Sequence, residues 1–500
     1  MSSISGIGTA SSLSIQTLVD MRNQLIDLQR QLGTGQRSDT YAGVGLDRGL
    51  TVGLRAHLSA IQGYQSTITQ VGVRLDLAQT SLTQLSSLSQ TSKTTVLTSQ
   101  FSLNGANQTR DQDTIRIQFD QALSLLNANS GGRYLFAGKS SDQPPMSSSS
   151  SILDGQGTQA GLKQVIDERR QADLGSNGLG RLDVTTNGAS EFQLTEQAGV
   201  FGFKIASAVS NLSGSTVTGP SGSPASVGID LGATNPTPGE TVRITLKLPD
   251  GTTKDMTLTA TNASPPGDGE FTIGADTTAT ATNLQSAVTT SLTKLGATTL
   301  TAASAMAAGN DFFNADAAHP AQRVDGPPFD TATGLRPATA TDTVAWYTGD
   351  AGSDPARSTA VARADQALSL NYGMRANEDA LRRTVQSMAV FAAVSFSPTD
   401  TNAGAAYAEL RSRVANQLAG PVGQQQIADI QGELAGVQSA LKSSNDRHSQ
   451  TNSTLSQVVQ DVEGAPTEKV AAEILTLQTS LQATLQTTSM LLQTNLLKYL

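Results

Sequence analysis

The stretch LVDMRNQLIDLQRQL, Leu18 to Leu32, repeats an apolar residue at alternating spacings of three and four. Its apolar positions are Leu18, Met21, Leu25, Leu28 and Leu32. This is the heptad pattern of a helix that packs one narrow stripe against another helix. Such a helix is not stable alone in water, because most helical stability comes from packing the apolar face. The stretch therefore predicts a long helix that requires a helical partner.

The sequence that follows this helix contains a break and then more helix. GTGQRSDTYAGVGLDRG interrupts the pattern with glycines, and the heptad spacing resumes from Leu54 to Leu85. A further periodic segment runs from about Asp111 to Leu126. We expect a second long helix and a shorter third one.

The C-terminal end repeats this organisation. Apolar residues from Ile427 to Val462 keep the spacing of three and four, and Gly464 and Pro466 then break the helix. The apolar positions of a last helix are Val470, Ile474, Leu477, Leu481, Leu485, Leu492 and Leu496. Because each end needs a partner, we expect long terminal helices that form an intramolecular antiparallel coiled coil or bundle.

The middle of the chain changes from helical periodicity to period two. Apolar and polar residues alternate from Val242 to Leu248, and a PDG turn leads into a second alternating segment, which predicts a β-hairpin. A third strand near Phe271 and a helix from Leu284 to Leu295 complete a small insert. The predicted fold class is mainly α, with a central inserted α+β domain.

The composition narrows the function classes. The formal net charge is −9 and Lys and Arg are not clustered, which argues against nucleic-acid binding. The chain has no Cys, which excludes disulfides and thiolate sites. It has no apolar run of about 18 residues, and its N-terminus lacks the charged and apolar regions of a secretory signal. We predict no nucleic-acid partner, no membrane span and no cleaved signal peptide.

Candidate catalytic and binding motifs are weak. GVGLDRG (residues 43–49) approaches a dinucleotide-binding fingerprint, but its third glycine is one position late and a helical segment precedes it. The charged run at residues 167–170 lies in polar sequence and is interpreted as a solvated surface. His57, His319 and His448 lie far apart in sequence, and neither His57 nor His448 has a second metal ligand at helical spacing. We predict no enzyme activity, no cofactor and no metal.

The terminal heptads have two interpretations. An intramolecular core is the usual role of an apolar stripe. The alternative is that the regular helices at both ends bind other copies of the chain, which gives rings or filaments. The pattern favours self-assembly.

The predicted domains follow these changes of pattern. In chain order they are an N-terminal assembly helix (1–45), an N-terminal helical rod (46–140), a connector with short strands (141–224), the inserted α+β domain (225–300), an irregular Pro/Gly-rich segment (301–360), a C-terminal helical rod (361–463) and a C-terminal assembly helix (464–500).

The chain resembles the bacterial flagellin family. It shares with that family paired terminal helices around a centre of different composition, apolar seams rich in Ser, Thr, Gln and Asn, and the absence of Cys. LQRQLGTGQRSDTYAGVGLDRGL is similar to the family's N-terminal signature, in which a helix ends in an SGxR turn, with Gly35 and Arg37 at the matching positions. The Asp-Asp-Pro or Asp-Asp-Ala segment of the family is replaced by YAG. GVFGFKI near Gly199 and the last helix, from Asp461, are also similar, so the resemblance covers roughly residues 15–210 and 360–500.

The stretch GRYLFAGKSSDQPP, from Gly132 to Pro145, resembles the GxYLFaGtxtdxxPf motif of hook-filament junction proteins, the third hook-associated proteins of the flagellum. Its family-like residues are Gly132, Tyr134, Leu135, Phe136 and Gly138. The ending LLKYL favours the same branch, whereas the length of 500 residues suits a filament flagellin. A junction protein is the first interpretation and a filament flagellin the second.

The resemblance implies a function. The chain would be a structural subunit of the extracellular flagellum that serves motility, exported unfolded by the flagellar type III system without a cleaved signal. Its partners would be other copies of itself, other hook-associated proteins and flagellin, and an export chaperone on the C-terminal helix. The terminal stripes would form the inner core. A secreted coiled-coil adhesin is a distant alternative, since neither a signal nor a membrane anchor is predicted.

Overall fold

The computed structural model of the protein describes residues 4–315 and 320–496. About 52% of the chain is helical, with long helices towards both ends and a central sheet region. The predicted mainly α class is confirmed at this level. The helices are α1 (Ile4–Thr34), α2 (Arg48–Thr98), α3 (Arg110–Leu126), α4 (Ser149–Asp154), α5 (Leu162–Leu174), α6 (Thr277–Leu295), α7 (Thr301–Phe313), α8 (Asp379–Ala393), α9 (Ala403–Leu418), α10 (Ile427–Glu463) and α11 (Thr467–Leu496).

The longer strands lie between α5 and α6. The strands are β1 (Asn129–Ser130), β2 (Arg133–Tyr134), β3 (Leu182–Thr186), β4 (Glu191–Glu196), β5 (Lys204–Ser210), β6 (Thr216–Ser221), β7 (Ser226–Asp230), β8 (Thr241–Lys247), β9 (Thr253–Thr261), β10 (Glu270–Thr272), β11 (Gln322–Val324), β12 (Leu335–Pro337), β13 (Val361–Arg363) and β14 (Ser369–Asn371).

The chain divides into two compact units. Unit 1 comprises Met1–Val71, Arg363–Ser369 and Ser439–Leu500, and unit 2 comprises Gly72–Ala362 and Leu370–Gln438. Helices α2 and α10 each contribute residues to both units. The breaks between α1 and α2 and between α10 and α11 lie within unit 1.

In unit 1, the first part of α2 contacts the last part of α10. The Arg55 Nε donates to Oε1 of Glu463 at 2.9 Å, and the Gln65 amide donates to the Ser449 hydroxyl at 3.1 Å. As residue numbers rise along α2 they fall along α10. The two segments therefore run in opposite directions.

In unit 2, the remaining parts of α2 and α10 make the same kind of contact. The side-chain amide of Gln79 donates to the Gln431 carbonyl at 2.8 Å, and that of Gln438 donates to Oδ1 of Asp76 at 2.7 Å. Helix α3 begins at a capping box in which Thr109 and the residue three positions later satisfy each other's backbone amides. The local sequence thus sets the start of α3.

Two four-stranded sheets in unit 2 share one apolar core. One has the order β3-β4-β7-β6 and is antiparallel, and the other has the order β10-β9-β8-β5, with β10 parallel to β9. The period-two pattern of β8 puts Val242, Ile244 and Leu246 in the core. The predicted hairpin is β8 and β9, and α6 packs on this core through residues that include Leu284.

The core of the sheet region reaches beyond the insert expected at 225–300. Phe192 and Leu194 of β4 and Ile205 of β5 belong to the same buried cluster as β8 and β9. The segment predicted to be irregular, 301–360, begins with helix α7. Ten of the residues of α7 are buried, including many alanines, so the helix has no amphipathic stripe for a sequence search to detect.

Candidate assembly surface

Two turns, one after α1 and one before α11, pair with each other. The amide of Ala465 donates to the Gly35 carbonyl at 2.9 Å, and the amide of Arg37 donates to the Glu463 carbonyl at 2.8 Å. Gly35 ends α1 with φ +69°, a left-handed conformation that glycine adopts without strain. The structure therefore places Gly35 and Arg37 of the family-like signature at a contact between the two ends of the chain. We call this contact the paired turns.

Charged side chains form ion pairs and a hydrogen bond at the turn after α1, the first of the paired turns. The Arg30 guanidinium contacts Oδ1 of Asp27 at 2.6 Å and Oδ1 of Asp39 at 2.8 Å, and it donates to the Arg37 carbonyl at 3.2 Å. The hydrogen bond from Arg30 holds the pKa of the Asp27 carboxyl below its ordinary value. Solvent screens these exposed pairs, so they orient the turn more than they stabilise it.

Apolar side chains join α1 to α11 beside the paired turns. Leu25 and Leu28 of α1 pack against Ala465, Val470 and Ile474, which are each less than 9% exposed. These are positions of the predicted heptad stripes, together with one residue of the turn. The structure thus brings part of the N-terminal stripe onto the start of the C-terminal stripe.

The other stripe positions differ in burial. The half-buried ones are Leu18, Met21, Leu477 and Leu481. Leu32 is 43% exposed and Leu485 is 50% exposed. The side chains of Leu492 and Leu496 lie outside the described residues. The stripe positions outside the small cluster are therefore only partly covered within the chain.

A second set of apolar side chains on these helices faces solvent. Ile15, Val19 and Ile26 of α1 are 56%, 51% and 55% exposed, and Leu475 of α11 is 65% exposed. Sequence reasoning missed them because it followed a single stripe. Their spacing of four and seven along α1 was the available signal.

The segment that resembles junction proteins begins in a tight hairpin. Gly132, with φ +77°, lies in the turn that joins β1 to β2. The Tyr134 amide donates to the Ser141 carbonyl at 2.8 Å, which folds the following residues back on the hairpin. The Tyr134 side chain is half-buried.

The remaining residues of this segment are built into unit 2. Phe136 is fully buried and Leu135 is 8% exposed. The Gly138 amide donates to the Met374 carbonyl at 2.9 Å, and the Phe136 carbonyl accepts from the Ala376 amide at 2.8 Å. The segment therefore fastens the end of the α3 region to the chain that leads into α8.

The charged run at 167–170 is only partly solvated, which corrects the prediction. Glu168 is 2% exposed and accepts a hydrogen bond from Arg323 Nε at 3.1 Å. Arg169 is 7% exposed and donates to Asp173 at 2.9 Å. Polar neighbours in sequence did not show that one face of α5 is covered.

A second carboxylate shares the Arg169 guanidinium. Oδ2 of Asp311 lies 2.6 Å from Arg169 Nη1. Burial raises the pKa of Asp311 to about 6, against the attraction of Arg169 and with the support of the nearby Asp173 charge. Arg169 also lies over the Phe201 ring at 5.2 Å. These groups link α5, α7 and the chain before β5.

The histidines lie in different surroundings. His448 is 6% exposed rather than in polar solvent-facing sequence: its Nε2 lies 2.8 Å from the Ala364 carbonyl, and its ring stacks on Tyr64 at 5.5 Å. His57 is exposed. His319 lies outside the described residues.

Two structural features of residues 4–315 and 320–496 bear on metal and membrane binding. These residues contain no group of three or more His, Cys, Asp or Glu arranged to hold a metal ion. Within the same ranges, no helix has the length and apolar character needed to cross a membrane.

Comparisons of the chain with protein-family models, curated proteins and solved structures gave no match.

Proposed function

We propose that the protein is a structural subunit of the bacterial flagellum that assembles with other copies through α1 and α11 and serves motility. The paired turns support the proposal because they hold the two ends of the chain together. We also propose that α1 with α11, and α2 with α10, form intramolecular antiparallel coiled coils. The contacts of α2 with α10 support this second proposal.

The observation that carries the proposal is the exposed apolar surface of the terminal helices. Ile15, Val19, Ile26 and Leu475 are each more than half exposed. Burying the exposed half of each side chain is worth about 1 kcal/mol, so a neighbouring copy that covers all four gains several kcal/mol. Ile15, Val19 and Ile26 share one face of α1 by their spacing of four and seven, and an exposed apolar face of this kind marks an interaction site. Both ends of the chain carry them, which suits a subunit that contacts copies on several sides.

The position proposed first is the hook-filament junction. The segment from Gly132 to Gly138 supports it, since Leu135 and Phe136 of the junction-like motif are buried and the backbone of the segment bonds to the chain that leads into α8. The proposed partners are other hook-associated proteins, flagellin and an export chaperone on α11, and the proposed location is outside the cell. A filament flagellin is the second candidate, favoured by the length of the chain.

Assembly is tested with a matched pair of surface variants. The double variant Ile26→Ser, Leu475→Ser removes exposed apolar side chains from both terminal helices. Ile117→Ser is the control, because Ile117 is 60% exposed on α3, which belongs to unit 2. We expect the double variant to remain folded by circular dichroism but to fail to incorporate into the flagellum, and the control to incorporate. Normal incorporation of the double variant, or of a chain lacking residues 470–500, would defeat the proposal.

Position within the flagellum is tested by immunogold labelling of the bacterium that produces the protein. Label confined to one band at the distal end of the hook supports a junction subunit. Label along the whole filament supports filament flagellin instead. Label on the cell body alone would contradict both and favour an adhesin.

A further inference from the structure

A pocket in unit 2 combines positive charge with hydroxyl groups. Its volume is about 250 Å³, and it lies between the turn at residues 133–141 and the segment at residues 359–374, next to Arg74 of α2. Its cationic lining residues are Arg74, Arg133 and Lys139. Neither Asp nor Glu is among the described residues that line it. In a chain with a net charge of −9, this concentration of one sign of charge is a local exception.

Two of the three cations have no carboxylate partner within residues 4–315 and 320–496. Arg74 Nη1 lies 3.4 Å from the Tyr372 hydroxyl, and Arg133 Nη1 donates to the Ser141 hydroxyl at 3.2 Å. Within the two described ranges, neither guanidinium forms an ion pair with Asp or Glu. Lys139 differs, because its ammonium group contacts Asp354 at 2.6 Å. The pocket therefore keeps two guanidinium charges that the described part of the chain does not neutralise.

The walls of the pocket are held by backbone hydrogen bonds. The Tyr372 amide donates to the Ala360 carbonyl at 2.9 Å, and the Gly373 amide donates to the Arg357 carbonyl at 3.0 Å. Tyr372 is 8% exposed, so its ring is fixed by packing. On the opposite wall, the bond from the Tyr134 amide closes the turn. A ligand would enter a largely preformed site, which lowers the cost of ordering on binding.

We propose that this pocket binds a small hydroxylated carboxylic acid, of the size of a sugar acid. A planar carboxylate matches the donor fork of a guanidinium, and two such groups are available. The hydroxyls of Tyr372 and Ser141 are placed to bond the hydroxyls of the ligand. The volume is below the range of about 300–1,000 Å³ typical of sites for drug-sized molecules, which favours a single sugar-sized unit. The proposal does not depend on the proposed flagellar function.

Isothermal titration calorimetry of the full chain tests the proposal with three probes. D-glucuronate carries the carboxylate, D-glucose lacks it, and inorganic phosphate is an anion without the sugar hydroxyls. We expect glucuronate to bind at least about tenfold more tightly than glucose, since a charge-assisted hydrogen bond contributes about 1.5–3 kcal/mol. We expect a similar margin over phosphate, which also pairs with guanidinium groups but has no sugar hydroxyls to bond Tyr372 and Ser141. Glucose or phosphate binding as tightly as glucuronate would overturn the proposal, as would no heat from glucuronate at millimolar concentration.

Variants locate the site. Arg74→Met and Arg133→Met are each expected to weaken glucuronate binding about tenfold or more. Arg110→Met is the matched control, because Arg110 is exposed on α3 and does not line the pocket. If Arg74→Met does not fold, Arg74→Lys keeps the charge and is expected to weaken binding by losing the fork. Unchanged affinity in the Arg133 variant and in either Arg74 variant would place the binding elsewhere and refute the assignment.

Discussion

Gly464→Ala is expected to open the paired turns. Gly464 ends α10, and its amide donates to the Gln460 carbonyl at 2.7 Å. A Cβ atom added at Gly464 would lie well inside van der Waals contact of that same carbonyl oxygen, which belongs to the backbone and cannot rotate away. The end of α10 must then shift, and this shift pulls Glu463 and Ala465 away from the turn that follows α1.

The size of the effect follows from the hydrogen bonds at risk. The two bonds that join the turns are donated by the amides of Arg37 and Ala465. Each contributes about 0.5–1.5 kcal/mol net, so losing both costs about 1–3 kcal/mol. The equilibrium constant for opening the paired turns therefore increases about 5- to 150-fold.

Amide hydrogen exchange measures this change directly. In the wild-type chain, peptides that contain the Arg37 and Ala465 amides should exchange slowly, and in Gly464→Ala they should exchange faster by about the factor above. Gly33→Ala is the matched control, because Gly33 lies in the last turns of α1 and a Cβ there meets nothing within 4 Å. The control should keep its protection. Equal exchange in the wild type and Gly464→Ala would refute the role given to the paired turns.

Three further predictions concern unit 2 and are read by urea unfolding. Gly138→Ala should lower the free energy of unfolding by about 1–3 kcal/mol more than Gly131→Ala. Both glycines have φ +60°, but only a Cβ at 138 would meet a neighbour, the Asp350 Cβ at 2.7 Å. Equal losses would contradict this. Hydrogen bonds from Ser213 lower the pKa of Glu240 to about 2. The contribution of Glu240 to the free energy of unfolding is therefore present above pH 4.5 and lost as the pH falls towards 2. The stability advantage of wild type over Glu240→Gln should shrink over the same range. The pKa of Asp311 is raised to about 6. Its contribution to the free energy of unfolding is therefore present below pH 3.8 and lost as the pH rises through 6. The stability of Asp311→Asn should increase relative to wild type from about pH 4 to 7, and a constant difference would refute this.

Local periodicity predicted the long helices α1, α2, α10 and α11, the shorter helices α3 and α6, and the hairpin, because these depend on residues close in sequence. The break at Gly35 lies within one turn of the end of α1, and the alternation at Val242 and Ile244 matches the buried face of β8. The contact of Gly35 with Ala465 joins residues far apart along the chain. No local pattern specifies such a pairing, so the sequence predicted the two breaks but not that they meet.

Burial of polar side chains escaped sequence reasoning for a related reason. Glu168 and Arg169 read as solvated because their neighbours in sequence are polar, yet their partners come from distant segments, such as Arg323 for Glu168. A buried charge requires a paired group, and the sequence does not show which group arrives. Helix α7 was missed for the opposite reason, since a helix covered on most sides carries no alternating signal.

The threonines of α11 bear on how this helix could be covered by a neighbouring copy. The hydroxyls of Thr476, Thr479 and Thr487 donate to the carbonyl four residues earlier at 2.9, 2.8 and 2.9 Å, although all three residues are exposed. A hydroxyl that already donates within its own helix leaves no unsatisfied donor when a partner covers it. From Ile474 to Leu496 the helix also contains no charged residue, so covering it does not require a charge to lose its water. Burial of α11 therefore gains the apolar contribution of side chains such as Leu475 with no charge to desolvate, provided that the partner supplies hydrogen bonds to the exposed amides of Gln478, Gln482 and Gln486. This favours the proposal that subunit contacts form along the helix.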